Sequence, residues 1–141
     1  MSSLEENKET VRRYIEEILN NLDYTHAEEL AHKDFFGLGG TITSIEEHKK
    51  YFTDQREKIP NICNELKEMI AEGDKVVAIS IVSGTDTGGY YSHPPSNKYL
   101  ENKVIAVYTL KEGRITKGEI LYDGLKLYQQ LGFYPPLPEE K

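Results

Sequence analysis

Apolar residues return every three or four positions near the start of the chain, at Val11, Tyr14, Ile15, Ile18, Leu19 and Leu22. That spacing puts them on one buried face of an amphipathic helix. Ser3 with Glu6 makes a capping box at its start, and Arg12 with Glu16 and Arg13 with Glu17 stand one turn apart on the wet side. Thr25 with Glu28, ahead of Leu30 and Ala31, signals a second, shorter helix that stops before Gly37. Gly37, Gly39 and Gly40 break the pattern. Ser44 with Glu47 then opens a third helix, whose Ile45, His48, Tyr51 and Phe52 share a face before Pro60 ends it.

From Ile62 the period shortens to two. An alternating run over 62–71 turns at Glu72, Gly73 and Asp74 into 75–83, where five of nine residues are β-branched, and the pair reads as a hairpin. A Gly-, Tyr- and Pro-rich excursion over 84–98 precedes a strand at 99–110, which turns at Lys111, Glu112 and Gly113 into a last strand over 114–122. Asp123 follows, then a short helical segment closing on Gln129, Gln130, Leu131 and Gly132, and Pro135, Pro136 and Pro138 end regular structure. Helices first and antiparallel strands later, without strand-helix-strand alternation, predict an α+β fold with three N-terminal helices on one face of a curved sheet. No repeat or linker divides residues 1–141, so one domain is expected, large enough to bury roughly two-thirds of its unfolded surface.

Charge narrows the list of partners. A net charge of −7, with the basic residues scattered among acids, argues against nucleic acid, whose phosphates need clustered Lys and Arg. No apolar stretch reaches the ~18–20 residues of a membrane helix. The acidic N-terminus fits neither a signal nor a transit peptide, so the expected compartment is cytoplasmic. Cys63 is the single cysteine, which excludes an intrachain disulfide and a Cys-based zinc cluster, and a buried, inert thiol is expected.

Asp123 leads the candidates for chemistry. A carboxylate at a strand end beside Leu121, Tyr122, Leu125 and Leu127 can be penalised when charged, which tunes it for general acid or base work. The competing reading is an N-cap for the segment that starts at Gly124. On the last strand Lys117, Glu119, Leu121 and Asp123 share one face, and Thr116, Gly118, Ile120 and Tyr122 share the other. If the first row faces the helices, Lys117 and Glu119 must line a wet pocket or be paired. If the second does, Asp123 is a surface cap and the catalytic reading loses most of its support.

Ten tyrosines and no tryptophan supply rings with a hydrogen-bonding tip. Tyr14, Tyr51 and Tyr108 lie on apolar faces, either as core residues or as oxyanion donors in a pocket. Tyr90, Tyr91 and Tyr99 lie near a loop or hairpin tip. His26, His32, His48 and His93 fall in different elements without the i, i+4 partner of a zinc site, so no metal is expected. His48, on the inner face of the third helix, is either a neutral core residue or part of a pocket. Asp86 sits in a turn between glycines, where aspartate bonds its own backbone. Serines and Cys63 form no nucleophile elbow, and the glycines near Gly39 lack the Lys of a phosphate loop.

Gly84, Thr85, Asp86, Thr87 and Gly88, then Pro94, Pro95, Ser96, Asn97 and Lys98, then Glu112, Gly113, Arg114 and Ile115, and finally Asp123 with Gln130, Leu131 and Gly132 resemble the SnoaL-like polyketide cyclase family. That family belongs to the cone-shaped α+β superfamily typified by nuclear transport factor 2. The resemblance implies a homodimer of curved-sheet protomers with a deep pocket for a small apolar carbonyl compound, and aldol-type proton transfer at the strand-end Asp123 without metal or cofactor. Tyr14, His48, Tyr51, Tyr108 and Glu119 are the expected pocket residues. The chain departs from the family pattern at Asp86, which replaces a His, and at Gly118 and Glu119, which replace the usual His and Trp. The superfamily also implies two alternatives, a non-catalytic ligand-binding or scaffold protein, and an isomerase or epoxide hydrolase that would need a second carboxylate such as Glu119 or Asp34.

Overall fold

Ser3 caps the first helix: its Oγ accepts from Glu6 N at 3.1 Å and starts helix α1, Leu4–Arg13. In the computed structural model, which describes residues 3–36, 44–89 and 93–132 and only the backbone of 34 and 36, this helix does not end at Arg13. It widens without a break into a π-helix over Tyr14–Asn20, two residues short of the apolar periodicity, and Leu22 turns the chain with φ 52°. The short helix α2, Ala27–Leu30, is followed by a 3-10 turn over Lys33–Phe36 that the apolar pattern did not announce. Ser44 Oγ caps α3, Ile45–Lys58, by accepting from Glu47 N at 3.2 Å.

Four antiparallel strands follow, β1 Cys63–Glu72, β2 Lys75–Thr85, β3 Tyr99–Lys111 and β4 Arg114–Tyr122, in the spatial order β1-β2-β3-β4. The last helix, α4, covers Gly124–Leu131. This is the α+β architecture expected, an open curved sheet with helices on one side. Irregularities between Leu66 and Glu68 and between Thr109 and Leu110 bend β1 and the β3–β4 pair, as bulges do.

Register decides which residues face the helices. Ala78 pairs with Ala106 and Ala106 with Ile120, while Ser80 pairs with Val104 and Val104 with Tyr122, so these residues form one continuous inner surface. On the outer surface Ile79 pairs with Ile105 and Ile105 with Leu121. Glu119 and Lys117 share that outer side. The row that turns inward on β4 is therefore Gly118, Ile120 and Tyr122.

The core joins Val11, Tyr14, Ile15 and Ile18 to Leu30, Phe35, Val76, Tyr108, Leu110 and Ile115. Complete burial of each aliphatic side chain is worth roughly 1.5–3 kcal/mol. A second cluster places Leu127 and Leu131 of α4 against Ile59 and Leu100. Three amides complete the frame by bonding strand backbone. Asn20 donates to Asn64 O and accepts from Asn64 N, both at 2.8 Å. Gln130 bonds Glu101 N and O in the same two-way manner, and so does Asn102 with Asp123. Cys63 departs from expectation: it opens edge strand β1 and is exposed rather than buried.

Candidate functional site

The concave sheet and the helical layer do not close on each other. Between them lies a cavity of about 340 Å³. The π-helix contributes Tyr14, Ile15, Leu19 and Asn20; α3 contributes Tyr51, Phe52 and Gln55; the sheet contributes Ala78, Ser80 and Val82, then Leu100, Asn102, Val104, Ala106 and Tyr108, then Ile120 and Tyr122. The π-helix carries its side of the wall because its wider turns keep Tyr14, Ile15 and Leu19 on the cavity while Arg56 of α3 donates to Leu19 O and Asn20 O at 3.2 and 2.7 Å. Such distortions recur at functional sites. Leu127 and Ile59 close the end near α4.

Against this apolar wall stand a few neutral polar groups. Ser80 and Tyr108 are each 3% exposed, and among the described residues neither hydroxyl has a hydrogen-bond partner. Asn64 Oδ1 is buried without one. Asn102 contributes an amide whose two ends already hold Asp123 O at 2.8 Å and Asp123 N at 3.1 Å. Among the described residues that line the cavity there is no Asp, Glu, Lys, Arg or His. Sequence reasoning missed Ser80, Asn64 and Asn102. The signal was present in Asn102, a lone amide in the alternating row Leu100, Val104, Ala106 and Tyr108.

Tyr14 is the deepest of the aromatic residues on the wall, with its ring edge-on to Phe35 and Tyr108 at 5.2 and 5.8 Å between centroids. Its hydroxyl lies 3.1 Å from His48 Nε2, and Tyr24 Oη lies 2.6 Å from His48 Nδ1. Burial pushes the His48 imidazole down to about 4, so it is neutral at pH 7. The same desolvation raises the Tyr14, Tyr24 and Tyr108 phenols above their usual range, and all three stay protonated. Gly118 makes room for this group: a Cβ there would stand 2.9 Å from Phe35 Cε2 and 3.4 Å from the Tyr108 ring.

The expected site residues thus separate. Tyr14, Tyr51 and Tyr108 share the cavity. His48 is fully buried behind Tyr14 rather than on the wall. Glu119 stands on the outer face of the sheet and pairs with Lys117 at 2.8 Å, and the lysine holds it below the usual carboxylate range. Asp123 is exposed; its Oδ1 accepts from Lys126 N at 3.0 Å and caps α4, one residue from cavity-lining Tyr122. The side chain of Asp34, and Tyr90 and Tyr91, lie outside the described residues. Tyr99 is exposed on β3. Asp86 does turn chemistry: buried, it accepts from Gly89 N and Ser96 N at 3.0 Å each, while Thr87 N and Gly88 N donate to Lys58 O and end α3. Among the described residues no cluster of ligating side chains could hold a metal ion, and no helix is long and apolar enough to cross a membrane.

A family model for SnoaL-like polyketide cyclases matches residues 9–131. The fold is similar to that of TsrD from Streptomyces laurentii, with a TM-score of 0.83 and 19% identity over 95% of this chain and 100% of that one. A putative polyketide cyclase from Bacillus cereus is similar at a TM-score of 0.74 and 25% identity, over 91% of this chain and 81% of the other. IdmH from Streptomyces antibioticus, a putative polyketide cyclase, is similar at a TM-score of 0.75 and 20% identity, over 89% of this chain and 98% of its own. No curated protein matches the chain in sequence.

Proposed function

Since the chain belongs to the SnoaL-like polyketide cyclase family, we propose that its cavity takes a small, uncharged, largely apolar carbonyl compound. The observation that carries this reading is the wall itself: a cavity of about 340 Å³ lined mostly by aliphatic and aromatic side chains with a few neutral polar groups, among them the hydroxyls of Ser80 and Tyr108, which have no hydrogen-bond partner among the described residues. A carbonyl oxygen satisfies such a donor, whereas a charged ligand would enter without a counter-charge and lose its hydration.

The chemistry we assign to the bound ligand is cofactor-independent proton transfer of the aldol type, with Asp123 as acid/base. The carboxylate would take the proton α to the carbonyl and return one to the alkoxide formed on ring closure, while a tyrosine hydroxyl bonds the developing oxyanion, a contribution of roughly 3 kcal/mol when well placed. Asn102, a cavity residue, ties the backbone of Asp123 to the cavity edge. To act, the carboxylate must exchange its bond to Lys126 N for the substrate. Asp123→Asn tests the assignment cleanly, since Asn caps a helix as well as Asp. With 2-acetonaphthone as probe, the variant should keep the ligand-induced rise in melting temperature and lose α-proton exchange with deuterated water by about 10²–10⁴-fold. Exchange within a few-fold of wild type would remove Asp123 from the chemistry and leave a non-catalytic binding protein.

We also assign the chain to a homodimer that buries the outer face of the sheet. Ile70, Ile105 and Leu121 are exposed there, beside half-buried Val77, Ile79 and Ile81, and a continuous apolar surface of this kind is rare on a monomer. Leu121→Glu should convert the dimer to a monomer in sedimentation. A wild type that sediments as a monomer ends the assignment.

A further inference from the structure

The cavity wall carries hydroxyls whose direction is not free. His48 is buried with both ring nitrogens in contact with phenols, Tyr14 on Nε2 and Tyr24 on Nδ1. A neutral imidazole has one N–H and one bare nitrogen, so its two tyrosines must play opposite roles: one donates its proton to the ring and the other accepts from it. One short and one long distance point to one assignment. Hydroxyl donors approach to ~2.5–3.0 Å, while N–H donors sit at ~2.7–3.2 Å. The 2.6 Å separation of Tyr24 Oη and Nδ1 belongs to an O–H donor, and the 3.1 Å separation of Nε2 and Tyr14 Oη belongs to an N–H donor.

We propose that Tyr24 and His48 are positioning residues that act through Tyr14: Tyr24 O–H donates to Nδ1, Nε2–H donates to Tyr14 Oη, and the Tyr14 proton is thereby left to a hydrogen-bond acceptor on the ligand. Among the described residues Tyr14 Oη has no second partner, and Tyr14 lines the cavity. The relay runs from half-buried Tyr24, through a ring sealed from water, to the deepest hydroxyl on the wall. Its consequence is selectivity. A site whose buried donor is held outward favours a ligand that presents an acceptor there, and the opposite tautomer would make Tyr14 an acceptor and reverse the preference.

Only the ligand's chemistry rests on the carbonyl-pocket reading, and the experiment separates the two. In the ¹⁵N spectrum of the ligand-free protein, His48 should show a protonated Nε2 and a bare Nδ1. A protonated Nδ1, or an equal mixture, overturns the relay whatever the protein binds. Calorimetric binding of 2-acetonaphthone and of naphthalene then reads the effect on the cavity. Tyr24→Phe should weaken the ketone by about tenfold and leave naphthalene within about twofold, as should Tyr14→Phe. Equal losses for both probes would make Tyr24 a packing residue and overturn its positioning role. If neither probe binds the wild type, the carbonyl-pocket reading fails, while the nitrogen spectrum still decides the relay.

Discussion

The deep wall of the cavity and its rim solve opposite problems with different kinds of side chain. Tyr14 and Tyr108 on the wall, and His48 behind it, are at most 3% exposed, and desolvation holds each of them in its neutral form across the physiological range. At the rim and on the outer face, Asp123, Lys117 and Glu119 are exposed, and they meet partners that water also solvates. The difference teaches where charge can exist in this fold. Among the described residues the cavity wall offers hydrogen bonds without charge, and the carboxylates of Asp123 and Glu119 stand at the rim and on the outer face.

Truncation should separate the two regions most strongly. Tyr14→Ala removes a ring packed on Phe35 and Tyr108 and leaves His48 Nε2 without its partner. A cost of about 3–5 kcal/mol is expected in urea unfolding. Tyr122→Ala, from a residue 47% exposed on the same inner surface, should cost less than about 1 kcal/mol. Equal losses would mean that wall and rim are one cooperative core.

Acid should sharpen the contrast next. The imidazole of His48 is pushed down to about 4 in the folded protein, against about 6.5 in an unfolded chain. Between those values the unfolded state binds a proton that the native state refuses, so stability falls as the pH drops from about 6.5 to 4 and is complete above that window. Fully expressed, this loss is about 3 kcal/mol. His48→Gln keeps a donor and an acceptor in place but cannot titrate, and its stability between pH 7 and 4 should decline less than that of wild type by about this amount. Parallel pH profiles would place the ring in contact with water.

How much of this was legible in the sequence depended on whether one periodicity sufficed. The start of α1, both ends of α3 and the strands appear within about two residues of the positions set by apolar spacing, because each has a single buried face. The π-helix was not legible: the spacing of Tyr14, Ile15, Ile18 and Leu19 fits an α-helix as well, and the widening coincides with tertiary bonds from Arg56 and to Asn64. Nor was the inward face of β4, since Leu121 on one row and Ile120 with Tyr122 on the other make both rows apolar at their end. Register decided it, through the pairing of Val104 with Tyr122. Tyr14, Tyr51 and Tyr108 of the cavity were readable as amphipathic residues on inner faces. His48 was readable as an inner residue, but its place behind Tyr14 required the packing of α3 on the first helix.

The smallest effect concerns Asp123, where the observed cap and the proposed acid share one side chain. Its Oδ1 holds Lys126 N at 3.0 Å, and α4 in turn carries Leu127 and Leu131 into the second cluster with Ile59 and Leu100. Asp123→Ala removes both functions and should cost about 1 kcal/mol of stability, whereas Asp123→Asn should cost no more than a few tenths. Because Leu127 also closes one end of the cavity, the alanine variant should lose some ligand-induced stabilisation that the asparagine variant keeps. Comparing the two in the same thermal assay assigns any shared loss of proton exchange to the missing carboxylate, and any loss unique to alanine to a loosened α4. If asparagine destabilises as much as alanine, the capping bond is not what holds α4 at the rim, and the two-way amide bridge from Asn102 to Asp123 is the remaining support.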